Sequence, residues 1–497
     1  MSKKTKTVSR DWFYLLILAI SVFGLMPKIV GVDELYIIRN GENILKYGFT
    51  TVDSLTMHND LSCINQHWLT SVIYYELDKL DMPIVRLMYF AVTCILVIVA
   101  LYFLLKLICK DNFVSFICCM FTTILFGMFN MFDPRPMTLT MAMVLMFIYL
   151  LELYSKKPLS KYTAGMIIIS VLLINMHASL WWMLCVSILP YVCDFSQKRF
   201  GKSLFCRLKL KYIKLFGIIL ATGFVNPYGV KAMLFLFESG IDDYTRNFCI
   251  EVRPVILTNY NLKFYCTAAF ALFFVIMSFI CNRAVGRYVW FSVGGILMTA
   301  FAVRNIGFMV LFIMFNLSYM TSYLFNNTKH KFRYDLLALP VSFLFLLYGL
   351  PVYISIMNIT ADTVYPILHN GCVALDEYVA ENNIDKSDFN IYSHEAWGSY
   401  LEYNYYRPFE DCRNEVLRKS MNKQYDYYAE SCDFRSGHVS CDYLLETYDI
   451  QAIYVAQYYI DDIISSNPEY FNSHFELLYK DESDKPGNVV VYVRKDE

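Results

Sequence analysis

The sequence predicts a polytopic α-helical membrane protein of about 11 transmembrane helices, carrying a C-terminal α/β domain outside the membrane. Three observations predict it. Of 497 residues, 57% are hydrophobic and only 18% are charged, where a soluble domain carries about 25% charged residues. The apolar residues fall into separate long runs, and a single core stops growing near ~250–300 residues. The charge is also divided. Residues 1–357 hold 32 Lys+Arg against 18 Asp+Glu, and residues 358–497 hold 11 against 26, so a total of −1 conceals +14 and −15. This divides the chain into a membrane domain, 1–357, and a soluble acidic domain, 358–497. Disordered, collagenous and disulfide-scaffold classes are excluded by 40 Tyr and 39 Phe against 20 Gly and 14 Pro. No nucleic-acid partner is implied, because no basic face with interleaved aromatics lies outside the membrane loops.

A spanning helix needs about 20 apolar residues. The runs that qualify are 12–30, 84–105, 113–132, 137–154, 163–193, 210–225, 264–281, 288–303, 306–324 and 335–356. The first follows Lys3, Lys4, Lys6 and Arg10 and ends at charged residues with no small-residue cleavage site, so it reads as a retained helix. Basic residues set the orientation. Placing the N-terminus in the cytoplasm puts Lys106, Lys110, Lys156, Lys157, Lys161, the Lys198–Lys214 cluster, Arg283, Arg287, Lys329, Lys331 and Arg333 inside. The run 163–193 lies between two inside-type loops and must hold an even number of crossings. Its turn falls at the polar Asn175-Met176-His177, and its halves are short for a full crossing, so the hairpin either tilts into a thinned bilayer or stops partway across, where non-helical backbone is tolerated only if it lines a cavity. Eleven crossings leave the acidic domain extracytoplasmic, in a multi-pass protein of the cell membrane. The outer face then carries the large loops, the first being 31–82, and function should sit there.

The acidic domain reads as α/β, with strands at Phe389–Ser393, Ala452–Ala456, Phe475–Tyr479 and Val489–Val493 and helices near 373–382, 414–430 and 440–448. Of fifteen cysteines, those in apolar runs are small hydrophobes. Cys372, Cys412, Cys432 and Cys441 lie in the acidic domain, where a bridge among the last three is open and connectivity is not fixed by sequence. No CxxC pair suggests zinc.

Several clusters could carry chemistry. Asp33-Glu34 stands at the exit of the first span, where adjacent like charges at a low-dielectric boundary raise at least one pKa. That suits a general base or a ligand for a divalent cation; the plainer alternative is an interfacial pair facing water. His67-Trp68-Leu69 opens an amphipathic stretch through Leu80, rich in aromatics, that suits the headgroup level. Asp133-Pro134-Arg135-Pro136 forms a short outer turn in which Arg135 can bind phosphate bidentately, or simply pair with Asp133. Asn175 and His177 at the hairpin tip are a functional pair or a satisfied bundle contact. Asn226-Pro227-Tyr228-Gly229 is a turn signature, followed by Glu251 in Ile250–Pro254. Arg304 lies between two apolar runs, which favours a phosphate partner over free solvation. Together these put carboxylates, histidines and arginines on one side of one bundle, the pattern for moving a group from a lipid phosphate to a hydroxyl.

Those motifs resemble the polyprenyl-phosphate-dependent glycosyltransferases of the GT-C fold, especially bacterial relatives of protein O-mannosyltransferases and lipid A aminoarabinose transferases. The resemblance rests on Asp33-Glu34, Tyr36, Ile44-Leu45 and Gly48. It extends through His67-Trp68-Leu69, Arg135-Pro136, Asn175-Met176-His177, Asn226–Gly229 and Ala302-Val303-Arg304 to Trp397-Gly398-Ser399-Tyr400-Leu401 and Asp411-Cys412-Arg413. It implies Asp33 as general base, Glu34 as its assistant, and Arg135 and Arg304 on the carrier phosphate. His67, Asp133, Asn175, His177 and Glu251 would complete the substrate site. The implied reaction inverts the anomeric carbon, uses no nucleotide and transfers a hexosyl or pentosyl group from a polyprenyl-phosphate-linked sugar to an acceptor glycan, lipid or protein. One departure stands: no second Asp follows the start of the fourth span, where Pro136–Thr140 stands, and Asp133 is the nearest substitute, so a divalent cation is neither required nor excluded. The competing readings are a polysaccharide polymerase or ligase using lipid-linked sugars, a transporter, and a glycan-binding scaffold. The polymerase would favour a long loop in mid-chain, and many transporters show an internal repeat; neither feature stands out here.

Overall fold

The computed structural model describes residues 11–25, 33–80, 83–129, 131–132, 135–195, 209–239, 249–327, 366–481 and 488–495. Ten helices occupy the apolar runs within those residues; the predicted run 335–356 lies outside them. They are α1 (Asp11–Leu25), α4 (Pro83–Cys109), α5 (Asn112–Met128), α6 (Pro136–Lys156), α7 (Ser160–Met176), α8 (Ala178–Val192), α9 (Leu210–Thr222), α11 (Asn261–Ile280), α12 (Gly286–Phe301) and α13 (Ile306–Asn327). Three more, α2 (Asp33–Tyr47), α3 (Trp68–Asp78) and α10 (Val230–Glu238), belong to the connecting loops. Among the described residues four segments are long and apolar enough to cross a membrane: Met88–Cys109, Pro136–Lys156, Asn261–Ile280 and Val303–Phe325. The remaining apolar helices are shorter, so a bilayer of ordinary thickness reaches past their ends.

Local chemistry sets the helix limits. Asp111 caps α5 by accepting from the backbone N–H of Phe113 and Val114. Pro136 stands at the first position of α6, where its missing N–H costs nothing. The run 163–193 breaks at one residue, His177, whose extended backbone (φ −162°, ψ 86°) separates α7 from α8. At 1.5 Å per residue the two arms reach about 25 Å and 22 Å. In the bundle, α13 packs on α4, α5, α11 and α12, and every side chain from Phe308 to Phe315 is buried.

Residues 366–481 and 488–495 form a second core around a five-stranded mixed sheet in the order β2-β1-β3-β5-β4. The strands are β1 (Asn390–Ser393), β2 (Arg407–Pro408), β3 (Ala452–Ala456), β4 (Phe475–Lys480) and β5 (Val489–Arg494). β3, apolar throughout and fully buried, pairs parallel with β1 and antiparallel with β5. The helix expected over 414–430 is three short pieces: Asn414–Leu417, Lys419–Asn422 and Tyr427–Arg435. Arg418 is extended between the first two, and Lys423 takes a left-handed conformation (φ 65°) after the second. The Asn422 carboxamide holds that turn by accepting from Gln424 N at 2.7 Å, and Asp426 caps the third piece. Helices at Glu395–Tyr403 (α15, after α14 at Pro366–Glu381), Gln457–Ser466 and Pro468–His474 were not anticipated. Among the described residues Cys372, Cys412, Cys432 and Cys441 form no disulfide with one another.

Candidate functional site

The site begins where α2 and α3 cross. A Cβ at Gly41 would collide with the Ser71 carbonyl, so glycine permits their close approach. Gly48 then turns the chain out of α2 with φ +80°. The loop between the helices is stitched to the hairpin tip. Ala178 N donates to Gln66 O at 3.0 Å and Thr70 Oγ1 to Met176 O at 3.0 Å. Trp68 Nε1 donates to Asn175 Oδ1 at 2.8 Å, and Asn175 Nδ2 donates to Val171 O at 2.7 Å and Val225 O at 2.8 Å. Asn175 therefore joins the first loop, the tip and the turn after α9.

These contacts enclose a cavity of about 770 Å³. Tyr36 and Ile37 of α2, Gln66 and His67 of the first loop, and Arg135 with Pro136 at the start of α6 line it. So do His177 and Ser179 of the tip, Glu251, Arg304 just before α13, and Cys412 and Glu415 of the acidic domain. His67, Arg135, His177, Glu251 and Arg304, separated by up to 237 positions in the chain, thus share one wall space. Asn175 and Glu34 stand outside the lining. Glu34 is buried, at 4% exposure. Asp33 opens α2, but its side chain lies outside the described residues, as does all of Asp133.

The cavity is electrostatically uneven. The rings of His67 and His177 meet edge to face, 4.4 Å between centroids, and His177 Nδ1 lies 3.1 Å from Ser179 Oγ. Burial pushes His67 down to about 4, so it is neutral at pH 7. Arg135 pairs with Glu251. Arg304 is exposed, and among the described residues it pairs with no carboxylate. Two guanidinium groups beside neutral imidazoles can take a phosphate through charge-assisted hydrogen bonds.

Beside the cavity is an apolar groove of about 310 Å³ between α8 and α12, lined by Leu189, Pro190, Trp290, Gly294 and Phe312 among others. Val186 and Met298 line both spaces, so the two adjoin.

The acidic domain closes the site through Arg413. Its buried guanidinium binds Asp53 Oδ1 at 2.6 Å, Glu402 Oε1 at 3.3 Å and Asp411 Oδ2 at 2.8 Å through Nε, and lies 5.7 Å from the Tyr36 ring. The motif Trp397-Gly398-Ser399 builds its seat. A Cβ on Gly398 would strike the Glu410 carbonyl, and Ser399 Oγ accepts from Cys412 N at 3.2 Å. Burial first, and then the Asp411 charge, raise the pKa of Glu402, which favours its neutral form and so lessens the excess of three carboxylates over one arginine. Asp411-Cys412-Arg413 stood out in the sequence, but its partners Asp53 and Glu402 are too distant in the chain to be read from it. No group of three or more His, Cys, Asp or Glu among the described residues is arranged to hold a metal ion.

No family model matches the chain, and no curated protein matches it in sequence. Among solved structures, ArnT from Cupriavidus metallidurans bound to undecaprenyl phosphate has the same fold: TM-score 0.53, with 97% of this chain and 98% of that one covered, at 11% identity. The match runs through both the helical bundle and the acidic domain.

Proposed function

We propose that this chain is a membrane glycosyltransferase that moves a sugar from a polyprenyl-phosphate carrier to an acceptor hydroxyl, with inversion, Asp33 acting as general base and Glu34 assisting. One observation carries the reading: a cavity with two arginines adjoins an apolar groove, which together fit an anionic headgroup on an isoprenoid tail. Undecaprenyl phosphate bound to ArnT, on the same fold, supports that class of carrier.

In this reading Arg135 and Arg304 hold the carrier phosphate, and the tail leaves along the groove between α8 and α12. The acceptor oxygen attacks the anomeric carbon as the bond to the phosphate oxygen breaks. The bonding pair goes to the phosphate, whose growing charge the arginines stabilise. The acceptor proton goes to the base. His67 is neutral and buried, so it offers a hydrogen bond without competing for that proton. In α2, position 33 shares a helical face with Tyr36, Ile37 and Asn40, of which the first two line the cavity. The acidic domain 358–497 and the membrane domain 1–357 then act as one unit around the cavity, with the domain and first loop on the extracytoplasmic side.

The test is to reconstitute the protein with radiolabelled undecaprenyl-phosphate sugars, both hexoses and pentoses, and follow release of undecaprenyl phosphate. Release by the wild type, reduced about 10²–10⁴-fold by Asp33→Asn, is expected. No release from any donor sinks the reading. Full activity in Asp33→Asn removes Asp33 from the base role.

A further inference from the structure

We propose that the part of the cavity bounded by Tyr36, Gln66, His67 and Glu415 is the acceptor subsite and takes a sugar ring. This rests on the glycosyltransferase reading above and adds the chemical class of the acceptor.

All four residues line both the main cavity and a small recess opening from it. Glu415 comes from the acidic domain, in the short helix Asn414–Leu417 that follows the Arg413 seat. Among the described residues no other residue hydrogen-bonds or ion-pairs with its carboxylate, which takes only its own backbone N–H. Its cationic neighbours are engaged elsewhere: Arg413 by Asp53, Asp411 and Glu402, and Arg418 by Ser239 O at 2.6 Å. Burial raises its pKa, which marks a poorly hydrated position. A carboxylate so placed calls for O–H or N–H donors. The Gln66 side-chain amide likewise makes no hydrogen bond among the described residues, while its backbone carbonyl is taken by Ala178 N. Tyr36 adds an aromatic ring to the same wall.

A sugar ring meets these demands together. Adjacent hydroxyls can donate to both oxygens of one carboxylate, a hydroxyl both donates to and accepts from an amide, and the C–H face of the ring lies against an aromatic. The polarity across the cavity assigns the two substrates. Phosphate is drawn to Arg135 and Arg304 and repelled by Glu415, so the carrier takes the arginine side and the acceptor takes this one. Tyr36 stands one turn after Asp33, so an acceptor hydroxyl held here reaches the first turn of α2.

The experiment uses the full-length protein in lipid nanodiscs and a panel of methyl glycosides, which offer hydroxyls but no transferable phosphate. Binding is measured for the wild type, Glu415→Gln and Gln66→Leu, with undecaprenyl phosphate binding measured on the same samples. The expected result is that at least one glycoside binds the wild type and that Glu415→Gln weakens it about ten-fold or more, with undecaprenyl phosphate affinity kept. Should Glu415→Gln lose undecaprenyl phosphate as well, Gln66→Leu, which changes no charge, decides by the same criterion. No binding of any glycoside to the wild type, or equal binding to wild type and variant, overturns the subsite. Failure of the glycosyltransferase reading would show separately, as absence of carrier release from sugar-loaded donors.

Discussion

Arg413 Nη1 donates to Asp53 Oδ1 at 2.6 Å, joining the first loop to the acidic domain across 360 positions of sequence. Both side chains are buried, and Arg413 is the only cation among the groups bound to it. Arg413→Gln would leave Asp53, Asp411 and Glu402 buried around a neutral amide. A loss of about 3–5 kcal/mol is expected. Asp53→Asn should cost less, because Asp411 still neutralises the arginine. Denaturant unfolding, with protease cleavage of residues 48–67 as a local readout, measures both; equal stability of wild type and Arg413→Gln would show that the cluster does not hold the seam.

The same seam should weaken in acid. His58 Nε2 lies 2.9 Å from Phe409 O, and burial pushes His58 down to about 4, as it does His67. Their unfolded value is about 6.5. Above that pH neither state takes a proton, and the full stability is present. Between 6.5 and 4 the unfolded chain binds protons that the folded chain refuses, so stability falls with pH by on the order of 3 kcal/mol per histidine at pH 4. For Asp53 burial acts to raise the pKa, but Arg413 overrides it and the net shift is downward. Its contribution is therefore present above the ordinary carboxylate range and is lost only at lower pH still. Unfolding midpoints measured between pH 7.5 and 4.5 should decline, and His58→Gln should flatten part of that decline.

What the sequence disclosed follows the range of the interactions. Apolar runs fix helices locally, and a polar triplet inside one run, Asn175-Met176-His177, was enough to place the break at His177. A continuous apolar stretch marked Ala452–Ala456 as a strand, and the structure buries it in the middle of the sheet. Apolar flanks, which make free solvation costly, singled out Arg304, and the structure places it on the cavity wall. Helical propensity over 414–430 misled, because Asn422 and Asp426 engage the backbone locally and break the run. The seat of Arg413 and the wall position of Glu415 depend on tertiary contacts with the first loop, and no local pattern announces them.

Asn175 should be structural in its effect. Asn175→Leu deprives Trp68 Nε1 and the carbonyls of Val171 and Val225 of a partner. Unmet buried groups cost about 1–3 kcal/mol each, less whatever water reaches. Hydrogen exchange should quicken at residues 66–70 and 223–229 together, since one carboxamide holds both. Faster exchange in only one of the two segments would contradict that coupling.

The arginines should differ in what they contribute to carrier binding. Among the described residues Arg304 pairs with no carboxylate, whereas Arg135 must exchange Glu251 for the phosphate. That pair is partly exposed, at 35% and 49%, so it is worth at most about 1 kcal/mol. Glu251→Gln should therefore tighten undecaprenyl phosphate binding, by no more than about five-fold. Arg304→Gln should weaken it by about ten-fold or more, the scale of a charge-assisted hydrogen bond. Arg135→Gln should weaken it less, because the exchange with Glu251 is removed along with the phosphate contact. Both losses should shrink at high salt, to the extent that the cavity admits ions. Titration of undecaprenyl phosphate into the four proteins in nanodiscs orders them, and an unchanged affinity in Arg304→Gln would place the headgroup outside this cavity.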